Sequence, residues 1–232
     1  MEKILQEGLA ALKLPTDPVP QLMDFCARLL EKNRVMNLTA ITDPAEVAQK
    51  HLLDCAALLT ICPFAEKRVV DVGTGAGFPG MVLRLLEQDF DLTLLDSLGK
   101  RVDWLQETCT AMGLSRTECI HARAEEFAAT HREQYDIATS RAVAQLNILA
   151  ELALPLVRPG GVFLAMKALD SDPEIDGARS AIGQLGGQIR EVREYTIPGT
   201  SLVRRVVIVE KIRPTPLQFP RTVAKIKSKP LR

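Results

Sequence analysis

The chain has 232 residues, of which 47% are hydrophobic and 25% are charged. This length and composition indicate a globular protein with one sizeable α/β domain and a small extension. No apolar run reaches the roughly 18 residues that a membrane span needs, and the first residues lack a signal-peptide pattern, so we expect a cytoplasmic protein without a membrane partner. The five cysteines form no C-x-x-C pair, and no histidine stands at ligand spacing from them, so we expect reduced thiols and no metal site.

The chain divides into three parts by composition and periodicity. Residues 1–60 show apolar residues at helical spacing before the first predicted strand, so we treat them as an N-terminal helical extension. Residues 61–213 contain the predicted strands and form the main domain, and residues 214–232 form a basic C-terminal tail.

The last helix of the extension carries two polar residues on one face. Thr42 or Asp43 can cap this helix, with Pro44 at its start. His51 and Asp54 follow within it, three residues apart. Either they line a substrate or cofactor pocket, or they form a His–Asp hydrogen bond that fixes the packing of the extension. The spacing alone favours the second interpretation.

A glycine-rich loop between a strand and a helix organises the rest of the chain. The predicted strand Arg68–Val72 is short and rich in β-branched residues, and Gly73-Thr74-Gly75-Ala76-Gly77-Phe78-Pro79-Gly80 follows it. Glycine is needed where the backbone takes a positive φ or where a ligand touches the main chain. The pattern predicts the nucleotide-binding corner of an open α/β sheet, with the ligand beyond the end of the strand. We therefore assign Gly73 and Gly75 to cofactor binding.

Two classes of cofactor fit this loop. Gly75, Gly77 and Gly80 match the G-x-G-x-x-G fingerprint of NAD-binding domains. The predicted turn begins at Gly73, however, which is two residues too early for that register, and Asp71 at the strand end disfavours a nearby pyrophosphate. S-adenosylmethionine carries a sulfonium and an ammonium group but no phosphate, so an acid beside the loop suits it better.

The ends of three later strands add candidate ligand contacts. The second predicted strand ends at Asp96, where an acid binds the ribose hydroxyls of either cofactor. The third strand is followed by Ala124 and Glu125, a small residue and an acid that suit the edge of an adenine. The fourth strand ends at Arg141, beside the first strand, where reactive groups collect in such sheets. Because arginine is rarely buried unpaired, we expect Arg141 at the mouth of the pocket.

The C-terminal strands decide the fold class. Pro159-Gly160-Gly161 is expected to end a helix and turn the chain before a fifth strand at 162–167. The last two predicted strands, 189–197 and 204–212, are joined by a link too short for a crossover helix, so they are antiparallel. We predict a doubly wound, mostly parallel seven-stranded α/β sheet with a terminal antiparallel hairpin, the Rossmann-like fold of class I adenosylmethionine-dependent methyltransferases.

Basic residues are concentrated at the C-terminus. From Lys211 to Arg232 there are seven basic residues and no acidic residue, whereas the rest of the chain carries 22 basic and 29 acidic residues. A basic tail on an acidic body is typical of a protein with a polyanionic partner, although a solvated tail has the same composition. Contacts of such a tail with RNA phosphates are salt-dependent. The candidate RNA-binding residues of the tail are Arg221, Lys225, Lys227 and Lys229.

Several short motifs are more specific than the loop pattern. They are Asn37-Leu38-Thr39-Ala40, His51-x-x-Asp54, Gly77-Phe78-Pro79-Gly80, Arg123-Ala124-Glu125, Ser140-Arg141-Ala142 and Phe219-Pro220-Arg221. With these motifs the chain resembles the RsmG (GidB) family of bacterial small-subunit rRNA methyltransferases over nearly its whole length. The resemblance implies that S-adenosylmethionine is the cofactor and that N7 of a guanine in 16S rRNA is methylated. It also implies cofactor contacts by Gly73, Phe78, Ala124, Glu125 and Arg141.

Methylation at N7 requires no general base, because this nitrogen has a free lone pair and no proton to remove. We therefore expect no catalytic acid or base. The segment after the fourth strand lacks the Asn/Asp-Pro-Pro-Tyr/Phe motif of amine methyltransferases, which agrees. Arg141 is assigned to the cofactor and the pocket mouth, and Arg123 to RNA or guanine O6. The alternatives are a methyltransferase for a small molecule or protein and a NAD(P)-dependent oxidoreductase, and a monomer is the default.

Overall fold

The computed structural model describes residues 1–141 and 144–232. They contain a seven-stranded sheet in the spatial order β3-β2-β1-β4-β5-β7-β6. The strands are β1 Arg68–Val72, β2 Asp91–Asp96, β3 Thr117–His121, β4 Tyr135–Arg141, β5 Val157–Ala168, β6 Gly187–Thr196 and β7 Val203–Lys211. Ala142, the last residue of one motif named above, lies outside the described residues.

The direction of the strands follows from their connections. Strands β1 to β5 are parallel to one another, whereas β7 runs antiparallel between β5 and β6. The chain moves outward from β1 to β3 and then returns to β4 on the other side of β1. This reversal opens a crevice at the carboxyl ends of β1 and β4, where ligands bind in open α/β sheets. The predicted fold class, including the antiparallel hairpin, is confirmed.

Alternate strand residues pack against two separate layers of helices, because successive side chains point to opposite faces of a sheet. Val69 and Ile208 belong to the core that includes the N-terminal helices, whereas Val70 and Val209 belong to the core on the other face. All four are fully buried. The first sixty residues therefore share a hydrophobic core with the sheet. The tail joins the opposite core through Phe219.

Helices cover both faces. One face holds α1 Glu2–Ala11, α2 Val19–Asn33, α3 Pro44–Val47, α4 Asp54–Ala56, α5 Gly80–Leu86 and α6 Gly99–Ala111, and the other holds α7 Ala124–Thr130, α8 Leu146–Ala153, α9 Asp172–Gln184 and α10 Val223–Ser228. A π-helical segment, Ala48–Leu53, links α3 to α4, and 3₁₀ turns follow α4 and α8. Asp43 caps α3, since its carboxylate accepts the amide of Glu46 at 2.9 Å. No helix among the described residues has the length and apolarity required to cross a membrane.

The fifth strand departs from the prediction. β5 begins at Val157 and not at Val162, because Pro159-Gly160-Gly161 lies within the strand as an irregularity that shifts its pairing with β4. Glycine is required at position 161, since a Cβ there would lie 2.5 Å from the carbonyl oxygen of Asp136. The helix before it ends earlier than predicted, at Ala153.

Lys211, which the sequence grouped with the basic tail, is the last residue of β7 and is fully buried. Its ammonium group donates to the carbonyls of Leu154 at 2.6 Å and Val157 at 2.8 Å, and to Glu133 Oε1 at 3.1 Å. Burial lowers the pKa of Lys211, although Glu133 acts in the opposite direction. Lys211 therefore joins the hairpin to the start of β5 and does not contribute to an RNA-binding surface.

Replacing Lys211 with Met should lower the free energy of unfolding by about 3 kcal/mol, because two carbonyls and a carboxylate lose a buried donor. Urea unfolding followed by circular dichroism measures this change. Lys225→Met is the matched control: Lys225 is exposed, so its loss should change stability by less than about 0.5 kcal/mol. A similarly small effect of both substitutions would contradict the structural role of Lys211.

Candidate functional site

Three cavities lie along the carboxyl edge of the sheet and meet at shared residues. The loop cavity, about 450 Å³, lies over residues 73–78 and reaches Asp96 and Arg141. The tail cavity, about 200 Å³, lies between residues 122–125 and the C-terminal tail and shares Asp96 with the loop cavity. The hairpin cavity, about 450 Å³, lies beside the β6–β7 hairpin and shares His51 and Arg141 with the loop cavity. Together they form one trough, with Arg141 at the junction of the loop and hairpin cavities.

Gly73 and Gly75, which the sequence assigns to cofactor binding, line the loop cavity. Both have positive φ, 70° and 60°, a conformation that side chains with a Cβ disfavour. Among the described residues, and apart from its chain neighbours, a Cβ on Gly75 would have the carbonyl oxygen of Gly73 as its one neighbour within 4 Å, at 3.9 Å. The backbone at Gly75 therefore borders open space that a ligand can fill.

Asp71 supports the glycine loop from beneath. Its carboxylate is fully buried and accepts hydrogen bonds from Thr74 Oγ1 at 2.7 Å, Gly80 N at 2.9 Å and Thr139 Oγ1 at 3.0 Å. Burial raises the pKa of Asp71 to about 6, although these donors act in the opposite direction. Asp71 is therefore beside the loop, where the sequence placed it, but it lies beneath the loop backbone and does not line the loop cavity.

Asp96 ends β2 and lines both the loop cavity and the tail cavity. Its Oδ2 accepts the amide of Gly75 at 2.8 Å, and its Oδ1 accepts the amide of Leu98 at 2.9 Å. Each oxygen keeps a lone pair for another donor, and only 5% of the residue is exposed. The position suits a carboxylate that binds ribose hydroxyls while it also holds the loop.

Residues 123–125 lie at the start of α7 and line the tail cavity. Ala124 and Glu125, two of the predicted cofactor-binding residues, therefore line the same cavity as Asp96, a third. Arg123, which is exposed, also lies there and does not line the hairpin cavity.

Arg141 is held by groups from the extension and the loop. Its Nη1 donates to Asp54 Oδ2 and to the carbonyl of Lys50, both at 3.3 Å, and its Nη2 donates to His51 Nδ1 at 3.1 Å. The guanidinium lies over the buried ring of Phe78, 4.7 Å from its centroid. Only 15% of the Arg141 side chain is exposed. Arg141 is therefore more buried than we expected for a residue at the mouth of the pocket.

His51 and Asp54 each contact Arg141 and form no hydrogen bond with one another in the described structure, so the predicted His–Asp bond is wrong. Both ring nitrogens of His51 are engaged: Nδ1 lies 3.1 Å from Arg141 Nη2 and 3.1 Å from the carbonyl oxygen of Lys50, and Nε2 lies 2.8 Å from Thr39 Oγ1. Because a guanidinium only donates, the contact with Arg141 requires a neutral ring with Nδ1 as the acceptor. Asp54 Oδ1 accepts from the Tyr195 hydroxyl at 2.7 Å. Burial raises the pKa of Asp54, although Arg141 and Tyr195 act in the opposite direction.

Two residues that line the hairpin cavity stand in no sequence motif that would have marked them as site residues. Tyr195 on β6 and Arg204 on β7 are register partners, and both line this cavity. In the part of the chain that the structure describes, the Arg204 side chain makes no hydrogen bond or ion pair. Only the pairing of β5, β7 and β6 brings these residues near Arg141, so no local motif could have identified them.

The basic residues of the tail differ in their surroundings. Arg221 is paired with Glu151, with 2.6 Å between Nη2 and Oε2, and only 12% of its side chain is exposed. Lys225, Lys227 and Lys229 are exposed, and Lys227 also lines the tail cavity. The structure therefore separates Arg221 from the three lysines with which the sequence grouped it.

The loop and tail cavities together fit S-adenosylmethionine. The carboxylate of Asp96 offers acceptors for ribose hydroxyls, and the main chain at Gly75 is open to a ligand. Of the described residues around the loop cavity, the Lys and Arg side chains are Arg101, 3.8 Å from Asp96, and Arg141, already paired with Asp54. The tail cavity adds Arg123 and Lys227, both exposed, so the fit to S-adenosylmethionine rests on Asp96 and the open loop backbone and not on a lack of cations.

Comparison of the chain with known proteins gives consistent matches. A family model described as GidB, rRNA small subunit methyltransferase G, matches residues 19–203. The ribosomal RNA small subunit methyltransferase G of Clostridium perfringens strain 13 is 42% identical over 219 residues, which cover 93% of this chain and 92% of that protein. The protein of the same name from Alkaliphilus metalliredigens is 42% identical over 234 residues, with 99% and 98% covered.

Solved structures support the fold. A methyltransferase from Pyrococcus furiosus aligns with a TM-score of 0.58 and 13% identity, covering 81% of this chain and 98% of that one. The 1,6-didemethyltoxoflavin-N1-methyltransferase of Burkholderia thailandensis aligns with a TM-score of 0.55 and 15% identity, covering 81% and 89%. At these identities the likeness concerns the fold alone, and the methyltransferase fold predicted from the sequence is confirmed.

The buried imidazole of His51 should make stability depend on pH. Burial, followed by the charge of Arg141, lowers its pKa from 6.5 to about 4. The unfolded chain therefore binds a proton that the folded chain excludes, and stability falls as pH decreases from 6.5 towards 4. Because the pKa of Asp71 is raised to about 6, its protonation makes the folded state more stable as pH falls below 6, which opposes the effect of His51. The effect of His51 is therefore measured by comparing a variant that lacks this imidazole with the wild type.

Between pH 7 and pH 5, the free energy of unfolding should fall by about 1–2 kcal/mol less in His51→Gln than in the wild type, because the substitution removes the titrating group. Urea unfolding at the two pH values measures the difference. His121→Gln, at an exposed position, should keep the wild-type response. If the His51 and His121 variants respond alike, the buried neutral imidazole is the wrong explanation.

Proposed function

The chain belongs to the rRNA small subunit methyltransferase G family, and on that premise we propose that it methylates N7 of a guanine in 16S rRNA. The family inferred from the short motifs is confirmed. The same matches favour a methyltransferase over the NAD(P)-dependent oxidoreductase that the G-x-G-x-x-G pattern left open. The methylated atom is our proposal, and the site geometry supports it as follows.

The trough assigns a part of the cofactor to each cavity. We place the adenine in the tail cavity against Ala124 and Glu125, and the ribose on Asp96. The amino-acid portion lies along Gly73 and Gly75 towards Phe78 and Arg141, which line the loop cavity. When bound, S-adenosylmethionine supplies an electrophilic methyl group on its sulfonium sulfur. The enzyme's contribution is to position that methyl group near Arg141 and to exclude water.

The groups at the junction of the cavities support an acceptor without a proton. Asp54 accepts from Arg141 and Tyr195, and His51 Nδ1 accepts from Arg141. Asp71 lies beneath the loop with three donors of its own. Among the described residues at this junction, these acidic and imidazole groups are thus committed to structural partners. Guanine N7 suits such a site, since its lone pair forms the new N–C bond as the S–C bond breaks, and no proton moves.

We place the target guanine in the hairpin cavity, because that cavity meets the loop cavity at His51 and Arg141. A base must leave its stack to enter such a pocket. The guanidinium of Arg204, which makes no hydrogen bond or ion pair with any residue that the structure describes, suits guanine O6, which arginine commonly recognises. The sequence assigned Arg123 to RNA or to guanine O6. Arg123 is exposed and lines the tail cavity, not the hairpin cavity, so of these two roles we keep the contact with RNA.

Methylation of small-subunit RNA by the purified chain should yield 7-methylguanosine, identified by mass spectrometry of the digested RNA. Because no general base acts, the single-turnover rate should be nearly constant between about pH 7 and 8.5. A methyl group on an exocyclic amine, or a rate that rises tenfold per pH unit, would exclude direct transfer to N7. RNA already methylated by the enzyme serves as the control acceptor and should take up no further label.

Arg204→Ala should raise KM for RNA about tenfold or more and leave the affinity for S-adenosylhomocysteine unchanged, because Arg204 lines only the acceptor side of the trough. Arg205→Ala is the matched control. Its side chain is paired with Asp172 and Glu194, and neighbouring strand residues point to opposite faces. Equal RNA kinetics for the two variants would place the guanine elsewhere, while leaving the N7 assignment intact.

A further inference from the structure

The C-terminal tail is fastened to the body at several points along its length. The guanidinium of Arg132 donates to the carbonyl of Phe219 at 2.7 Å and to that of Pro216 at 3.0 Å. Near the end of the chain, Asn147 Nδ2 donates to the carbonyl of Leu231 at 2.8 Å. A segment held in this way by backbone carbonyls has a fixed position, unlike the solvated tail that its charge allowed.

The central fastening is the pair formed by Arg221 and Glu151. Arg221 Nε donates to Oε1 at 2.7 Å, its Nη2 donates to Oε2 at 2.6 Å, and its backbone amide donates to Oε1 at 2.9 Å. Glu151 is on α8 and is fully buried. Losing either partner leaves an uncompensated buried charge or removes three hydrogen bonds, so this pair fixes the start of α10.

Helix α10 presents one face to the tail cavity. Val223, Ile226 and Lys227, spaced as neighbours on one side of a helix, line this cavity. Ile226 is only 1% exposed. The opposite wall is formed by Asp96 and residues 122–125, where the proposed function places the adenosine. The other face of α10 carries Lys225, and Lys229 follows at its end; both are exposed.

We infer that the C-terminal segment is part of the cofactor site: Val223 and Ile226 form the apolar wall against which the adenine packs. This inference rests on the proposed function only for the position of the adenosine. Arg221 is then an anchor of that wall and not an RNA contact, which revises its assignment from the sequence. Lys225 and Lys229 remain the lysines of the segment that are free to bind phosphate. One short segment thereby contributes to the binding of both substrates.

Isothermal titration of full-length variants with S-adenosylhomocysteine tests the inference. Ile226→Asp should weaken binding at least tenfold, because it places a charge in the apolar wall, and Ile226→Ala should weaken it a few-fold. Lys229→Ala is the control on the same segment. It should leave the affinity for S-adenosylhomocysteine within twofold of wild type, while RNA binding becomes weaker and less sensitive to salt.

The anchor gives an independent test away from the cavity. Glu151→Gln and Arg221→Gln should each weaken S-adenosylhomocysteine binding. The double variant should lose no more affinity than the single variant with the larger loss, because all three act through release of α10. Limited proteolysis reports whether the tail is released, and thermal unfolding reports whether the rest of the chain is folded.

The outcomes separate this inference from the proposed function. If the wild-type chain fails to bind S-adenosylhomocysteine, the proposed function is wrong, and the inference falls with it. If wild type binds but folded Ile226→Asp and Ile226→Ala bind equally well, the inference is overturned and the methyltransferase assignment stands. Proteolytic release of the tail with unchanged affinity in the Arg221 and Glu151 variants would overturn it as well.

Discussion

The buried guanidinium of Arg141 is the constraint on which the site depends. A charge at this depth requires partners, and it finds them in segments far apart in the chain: Asp54 and His51 from the extension and Phe78 from the glycine loop. Tyr195 extends the network to the hairpin through Asp54. The N-terminal helices are therefore more than a covering layer, because Arg141 can be buried only when they are docked.

This network also limits the chemistry available. The acceptors of Asp54 and His51 that face Arg141 are used to hold it, and burial lowers the pKa of His51, so the imidazole remains neutral and hydrogen-bonded near neutral pH. A methyl-acceptor atom that must lose a proton would need a general base whose lone pair is not already used to hold Arg141. Guanine N7 needs none, so the rigidity that Arg141 imposes is compatible with the proposed transfer. Positioning and exclusion of water then carry the rate.

The basic residues near the C-terminus, which look alike in composition, have different structural roles. Lys211 is buried at the end of β7, Arg221 is paired with Glu151, and Lys225 and Lys229 are exposed. The first two hold the C-terminus against the sheet and α8. Because Lys211 and Arg221 are used inside the fold, fewer positive charges of the C-terminal segment are available to bind RNA. Their contacts also give the tail a defined position beside the tail cavity.

Local patterns in the sequence determined the strand–loop–helix corner, the antiparallel hairpin with its short link and the family to which the chain belongs. These features depend on residues close together in the chain, through glycine conformations, strand alternation and motif identity. Tertiary structure decided the burial of Asp71 and Lys211, the partners of Arg141 and the cavity that holds Tyr195 and Arg204. The reason is physical: Arg141 and Asp54 are 87 positions apart and Tyr195 and Asp54 are 141 apart, and burial and pairing arise only when the sheet and its two helical layers assemble.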